Sequence, residues 1–172
     1  MIVKDYDPLK KKQFQVIDKV GKVVNEKYEP KIDDETLLKM YKTMLLARIA
    51  DEKALQYQRQ GRMLTFAPVK GQEAAQIGPM AALDDGDWLS PAFREQAAFL
   101  YKGVTLEQAY LYWYGNERGS VYDEGVRVLP VNIPIGSQIG HAAGLAYAEK
   151  LKGNKQVALT YIGDGGTSHG EF

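Results

Sequence analysis

The residues most able to do chemistry lie near the end of the chain. Gln156-Val-Ala-Leu-Thr-Tyr-Ile162 is a short, mostly apolar run of the kind that buried parallel strands show, and Gly163-Asp164-Gly165-Gly166 follows it directly. Ligands of open α/β sheets sit beyond the carboxyl ends of strands. Glycines there let backbone N–H groups approach a phosphate closely. An Asp at such a turn would repel a phosphate unless a divalent cation lay between them. Mg²⁺ prefers hard oxygen ligands and bridges carboxylates to diphosphates. Asp164 therefore reads as a metal ligand serving a diphosphate. The alternative is a tight strand-to-helix turn with Asp164 as a cap, and the spacing alone leaves both open. The pattern is neither the dinucleotide Gly-x-Gly-x-x-Gly motif nor the P-loop lysine motif.

The elements that would position this turn can be read in order. Residues 1–32 form a charged arm, with short β-prone pieces at 14–18 and 22–24 around Gly21, the pattern of a small hairpin. Residues 33–172 form the remaining domain. Asp33-Asp34-Glu35 opens a long helix, acidic where the helix dipole favours it, with Gly61 as its stop. Leu37, Met40, Tyr41, Met44, Leu45 and Ile49 recur at helical spacing and read as its apolar stripe. A second helix begins at 71–77, and Gly78-Pro79 is expected to kink or interrupt it. Asp84-Asp85-Gly86-Asp87 is a turn, and Trp88 to Arg94 reads as a loop around Pro91. Thr105-Leu-Glu-Gln108 has capping-box form and starts a short aromatic helix ending near Gly115. Residues 115–134 are irregular. Ser137 to Lys152 is a helix rich in Gly and Ala, closed by Gly153-Asn154. Thr167-Ser168 could cap a new helix. A helix, strand, loop and helix call for further parallel strands, so the sequence is expected to be truncated just after the Gly-Asp-Gly-Gly turn.

Several blocks together resemble one family. Gly163 to Phe172 looks like the first half of the thiamine diphosphate signature. Gly61-Arg62, Gly71-Gln72-Glu73-Ala74, Gly86-Asp87-Trp88, Phe93-Arg94-Glu95 and Ile135-Gly136-Ser137-Gln138 occur in the order and spacing of the alpha subunit of thiamine-diphosphate-dependent 2-oxo acid dehydrogenases. The resemblance covers nearly everything from Asp33 to Phe172. It implies an α/β thiamine-diphosphate-binding fold, a parallel sheet flanked by helices. It also implies roles. Asp164 resembles the Mg²⁺ ligand, and Gly163, Gly165 and Gly166 belong to the turn that donates backbone N–H groups to the diphosphate. Arg94 resembles the arginine on the diphosphate, a use that suits a planar guanidinium. Without the resemblance it would read as a surface or domain-bridging ion pair. Ile135 resembles the residue whose backbone meets the aminopyrimidine ring, and otherwise reads as core. Phe93 stands where the family commonly has Tyr, so a hydroxyl is lost while ring stacking survives.

No catalytic residue is assigned within the chain. His141 and His169 read as surface or packed histidines, and the family's acid–base histidines are expected after Phe172 or on a partner. The closing asparagines of the signature, one of them the second protein ligand for Mg²⁺, are not in the sequence. In the resembling enzymes the substrate is a small 2-oxo acid, decarboxylated oxidatively on the cofactor with acyl transfer to a lipoyl-bearing acyltransferase component. A beta subunit completes the site in an alpha2beta2 assembly. Phe66-Ala67-Pro68 before Gly71-Gln72-Glu73-Ala74 resembles the bacterial pyruvate-using members of the family more than the branched-chain ones, which implies pyruvate as substrate, with branched-chain 2-oxo acids or acetoin as alternatives. A non-catalytic phosphate-binding module and a purely structural helical domain are the rival readings. The isolated 172-residue chain is expected to be poorly stable and inactive.

Composition narrows the field. Lys plus Arg total 22 and Asp plus Glu total 22, so the formal net charge is zero, without the basic excess that nucleic acid or an anionic membrane demands. There is no Cys, which removes disulfides, thiolate metal sites and a Cys nucleophile. No run approaches a bilayer span, and the charged start does not fit a signal peptide. A soluble, cytoplasmic protein is expected.

Overall fold

The computed structural model describes residues 6–10 and 13–172. The chain divides into two compact units, Met1–Asp34 and Glu35–Phe172. In the first, Ile17 and Val23 form an antiparallel bridge around Gly21, whose φ of +83° suits glycine at the hairpin turn. Phe14 packs edge-on against both Tyr6 and Tyr28.

Five α-helices and two strands, with two short 3-10 helices, follow the arm: α1 (Asp34–Arg59), α2 (Glu73–Ala81), β1 (Trp88–Ser90), α3 (Gln96–Lys102), α4 (Leu106–Tyr114), α5 (Ser137–Leu151) and β2 (Ala158–Thr160), the 3-10 helices being Glu117–Ser120 and Asp164–Ser168. The strands pair in parallel, Trp88 with Ala158 and Ser90 with Thr160. Val128 adds a parallel bridge to Leu89. Asp87 fixes this register. Its carboxylate accepts the Val157 N–H at 2.7 Å and the Asp84 N–H at 2.8 Å, so the start of one strand is tied to the start of the other. The helix α5 packs on both strands. Leu89 is buried with Met80 of α2 and Ala98 and Phe99 of α3. The α4 cap has both halves of the capping box, Gln108 N–H to Thr105 Oγ1 and Thr105 N–H to Gln108 Oε1.

Four expectations need correction. Trp88–Ser90 is a strand, not part of a loop; three residues before Pro91 are too few to show a period of two. The helix α2 continues through Gly78-Pro79 to Ala81, because the proline comes one turn from the end and costs one hydrogen bond. Asp164–Ser168 is a 3-10 helix that directly follows Gly163, and Thr167 Oγ1 donates back to the Asp164 carbonyl at 2.6 Å instead of capping a helix. Finally, the helical period of α1 was legible but its phase was not. Ala47, Ala50, Asp51 and Ala54 are its buried residues, with Met40 and Met44 beside them. Leu37, Tyr41, Leu45 and Ile49 are half-exposed. Small side chains allow the closest approach of neighbouring elements, so the bulky stripe lies on the adjoining face.

An ion pair joins α1 to α2. Arg48 holds both carboxylate oxygens of Glu73, at 2.9 Å on the Nη2 side, and Glu73 also accepts the Gly71 N–H at 2.9 Å. The Arg48 guanidinium keeps the Glu73 carboxyl below its ordinary range. A carboxyl lowered in the folded state stabilises above its unfolded pKa, and that contribution is lost as pH falls through the folded value. Glu73→Gln should therefore lower the melting temperature at pH 7, and the gap from wild type should close in acid, below about pH 4.5. A gap that persists unchanged in melts at pH 3.5 would show that the charge pair is not its source. Asp51 and Glu95 have the opposite sign, since burial pushes both carboxyls up, so the comparison must use the single variant.

Candidate functional site

A cavity of about 470 Å³ opens at the carboxyl end of β2. That size suits a small cofactor. Phe93, Arg94, Ile135, Gly163, Gly165 and Gly166 all line it, although they come from three separate segments. Each segment is delivered by an element. The strand β1 and the turn after it carry Phe93 and Arg94. Ile135 precedes the start of α5, and β2 runs into Gly163–Gly166.

Arg94 is held without being neutralised. Its Nη1 donates to the Pro68 carbonyl at 2.9 Å, and its guanidinium lies over the Phe93 ring at 5.3 Å. No carboxylate pairs with it among the described residues, so the expected alternative of an ion pair is not what the structure contains. Ile135 is 41% exposed and faces the cavity, which removes its core reading.

The turn itself is shaped by two glycines. Gly166 is buried, and a Cβ there would lie 2.6 Å from Ile162 Cγ1 and 3.1 Å from Ile135 Cγ2. Any side chain would push these residues apart. A Cβ on Gly165 would meet nothing within 4 Å, so that backbone is open to a ligand. Asp164 is exposed and is not part of the cavity wall. Its carboxylate takes no hydrogen bond or ion pair among the described residues, and it does not cap the turn. Among those residues no group of three His, Cys, Asp or Glu could hold a metal by itself. His141 is exposed, and His169 is exposed beside Glu171 at 3.7 Å.

Sequence reasoning missed the buried polar wall. Gln76, Glu95, Gln138 and Tyr161 also line the cavity. Glu95 accepts the Arg94 N–H at 3.0 Å, and burial raises its carboxyl above the ordinary range. Burial likewise raises the Tyr161 phenol, which donates to the Gln76 carbonyl at 2.8 Å. Glu95 and Gln138 lie within the family-like motifs, but nothing in a single sequence distinguishes a buried polar side chain from an exposed one.

The sequence model of the family described as "Dehydrogenase E1 component" matches residues 41–172. The chain is 64% identical over 155 residues to the pyruvate dehydrogenase E1 component subunit alpha of Acholeplasma laidlawii, covering 90% of this chain and 45% of that protein. It is 48% identical to the subunit of the same name from Mycoplasma genitalium, over 92% of this chain and 44% of the relative. For the Staphylococcus aureus subunit the identity is 40%, over 92% and 43%. The chain thus spans a little under half the length of these curated relatives.

Proposed function

This chain belongs to the dehydrogenase E1 component family, and from that premise we propose that it is part of the alpha subunit of a pyruvate dehydrogenase that uses thiamine diphosphate and Mg²⁺. The observation that carries the reading is the convergence of Phe93, Arg94, Ile135, Gly163, Gly165 and Gly166 on one cavity beyond the end of β2. The residues fit such a cofactor. Gly165 leaves its backbone open, Arg94 offers a guanidinium with no carboxylate in salt-bridge contact among the described residues, and Asp164 presents a free hard-oxygen ligand beside the turn.

In this reading Arg94 and the open backbone at Gly165 would bind the diphosphate, while the Gly166 N–H, already given to the Gly163 carbonyl at 2.9 Å, holds the turn in shape. Asp164 would hold Mg²⁺ beside the diphosphate through its free carboxylate. Phe93 fixes the guanidinium plane by stacking, and the backbone at Ile135 orients the aminopyrimidine. When bound, thiamine diphosphate supplies the carbanion chemistry that decarboxylates a 2-oxo acid. The chain's residues hold and orient it, and none is assigned a proton transfer. Residues 1–32 serve as an arm, and residues 33–172 as the N-terminal part of the cofactor domain. A beta subunit in an alpha2beta2 assembly and a lipoyl-bearing acyltransferase component complete the reaction. A cytoplasmic location accords with the absence, among the described residues, of any helix long and apolar enough to cross a membrane.

The test uses the assembled alpha–beta protein. Calorimetric titration with thiamine diphosphate should show saturable binding that requires Mg²⁺, and pyruvate should be turned over faster than branched-chain 2-oxo acids or acetoin. No binding with Mg²⁺ present would overturn the cofactor reading. Binding with a preference for a branched-chain acid or acetoin would move the chain to that branch of the family.

A further inference from the structure

We propose that the side-chain amide of Gln138 is the strut that sets the spacing between the two backbone segments on the cofactor cavity, Ile135–Gly136 and Ile162–Asp164. This inference rests on the reading that the cavity takes thiamine diphosphate. It adds a positioning residue that acts on cofactor affinity.

Gln138 lies in the first turn of α5 and is 1% exposed. Helical side chains lean toward the helix N-terminus, which directs this one back over Gly136. Its Oε1 accepts the Gly136 N–H at 3.0 Å, and its Nε2 donates to the Tyr161 carbonyl at 2.9 Å. One planar group thus joins the chain just after Ile135 to the chain just before Ile162. Ile135 and Ile162 also pack about Gly166, so the amide adds hydrogen bonds to an apolar contact. Gly136 sits at φ +99°, and α5 has no side-chain N-cap.

The strut continues into a buried circuit. The Tyr161 hydroxyl donates to the Gln76 carbonyl at 2.8 Å, and Gln76 Nε2 donates to the Arg94 carbonyl at 2.9 Å. Gln76 Oε1 accepts the Ala97 N–H at 3.0 Å. Three cofactor-facing segments are therefore linked through two glutamine amides and one tyrosine. An amide suits Gln138 because it carries a donor and an acceptor in one plane. An ionised glutamate there keeps the acceptor for Gly136 and loses the donor to Tyr161. A methionine of similar length supplies neither.

The experiment compares Gln138→Met, Gln138→Glu and Ser90→Ala in the assembled alpha–beta protein, by calorimetric titration of thiamine diphosphate with Mg²⁺ and by kcat at saturating cofactor. Ser90 Oγ donates to the backbone carbonyl of Gln138 at 3.0 Å, so its removal disturbs the same residue without touching the amide. Both Gln138 variants should bind the cofactor about 10- to 100-fold more weakly, the range for groups that orient first ligands, with kcat at saturation within about threefold of wild type. Ser90→Ala should keep its affinity within about threefold. Wild-type affinity in either Gln138 variant, an equal loss in Ser90→Ala, or a fall in kcat without a fall in affinity would each overturn the proposal. Should one Gln138 variant fail to fold, as judged by the apo-protein melt, the other decides. A wild-type protein that binds no thiamine diphosphate would instead remove the cofactor reading itself.

Discussion

Asp164→Ala should weaken Mg²⁺-dependent thiamine diphosphate binding by at least about 100-fold, more than the loss typical of an outer-shell change, while leaving stability within about 0.5 kcal/mol. The division follows from what the carboxylate touches. It is exposed and has no partner among the described residues, so folding gains nothing measurable from it. A carboxylate held at a strand end beside a glycine turn has value only to something that binds there. Asp164→Asn keeps one neutral oxygen and should fall between the two. The check is a pair of measurements: a thermal melt of the apo protein and a titration of cofactor with Mg²⁺. An unchanged titration would show that Asp164 is not the ligand. A large fall in the melt would show that it is a structural cap after all.

The parts of this site that were legible in sequence are those fixed by local backbone demands. Gly163 to Gly166 stands out because only glycine tolerates the approach of Ile162 and Ile135 at Gly166. The capping box at Thr105 and Gln108 was equally local. What sequence hid was relational. Trp88 to Ser90 looked like part of the loop that carries Phe93 and Arg94 because β1 is three residues long and is defined only by its partner β2. The buried face of α1 was hidden because the bulky residues have the same period as the alanines that pack. Burial of Gln76 and Gln138 depends on what lies opposite them, and composition carries no mark of it. The resemblance to a family supplied the residues proposed to touch cofactor, while the residues that hold those residues came only from the folded arrangement.

Asp51 shows how far that support extends, and Asp51→Ala should destabilise the protein by about 2–4 kcal/mol, the cost of orphaning two N–H groups in a buried place. Asp51 is fully buried in α1, and its carboxylate accepts the Val69 N–H at 2.8 Å and the Lys70 N–H at 3.2 Å. Burial raises its carboxyl, and the two N–H bonds pull the other way, so the charge is tolerated only because this loop caps it. The loop matters for the site because the Pro68 carbonyl, one residue earlier, receives Arg94 Nη1 at 2.9 Å. Loss of Asp51 should therefore free the loop, and with it the guanidinium. At roughly 2–4 °C per kcal/mol for a domain of this size, the melting temperature should fall by about 5–15 °C. Cofactor affinity, measured well below the new melting point, should fall as well. Asp51→Asn is the informative companion. One oxygen can still serve Val69 or Lys70, while its NH₂ faces the other donor, so it should recover part of the stability and part of the affinity. A melt unchanged in Asp51→Ala would mean that the loop finds other acceptors. A lowered melt with wild-type cofactor affinity would mean that Arg94 keeps its place without Pro68, and the cavity is less dependent on α1 than its hydrogen bonds indicate.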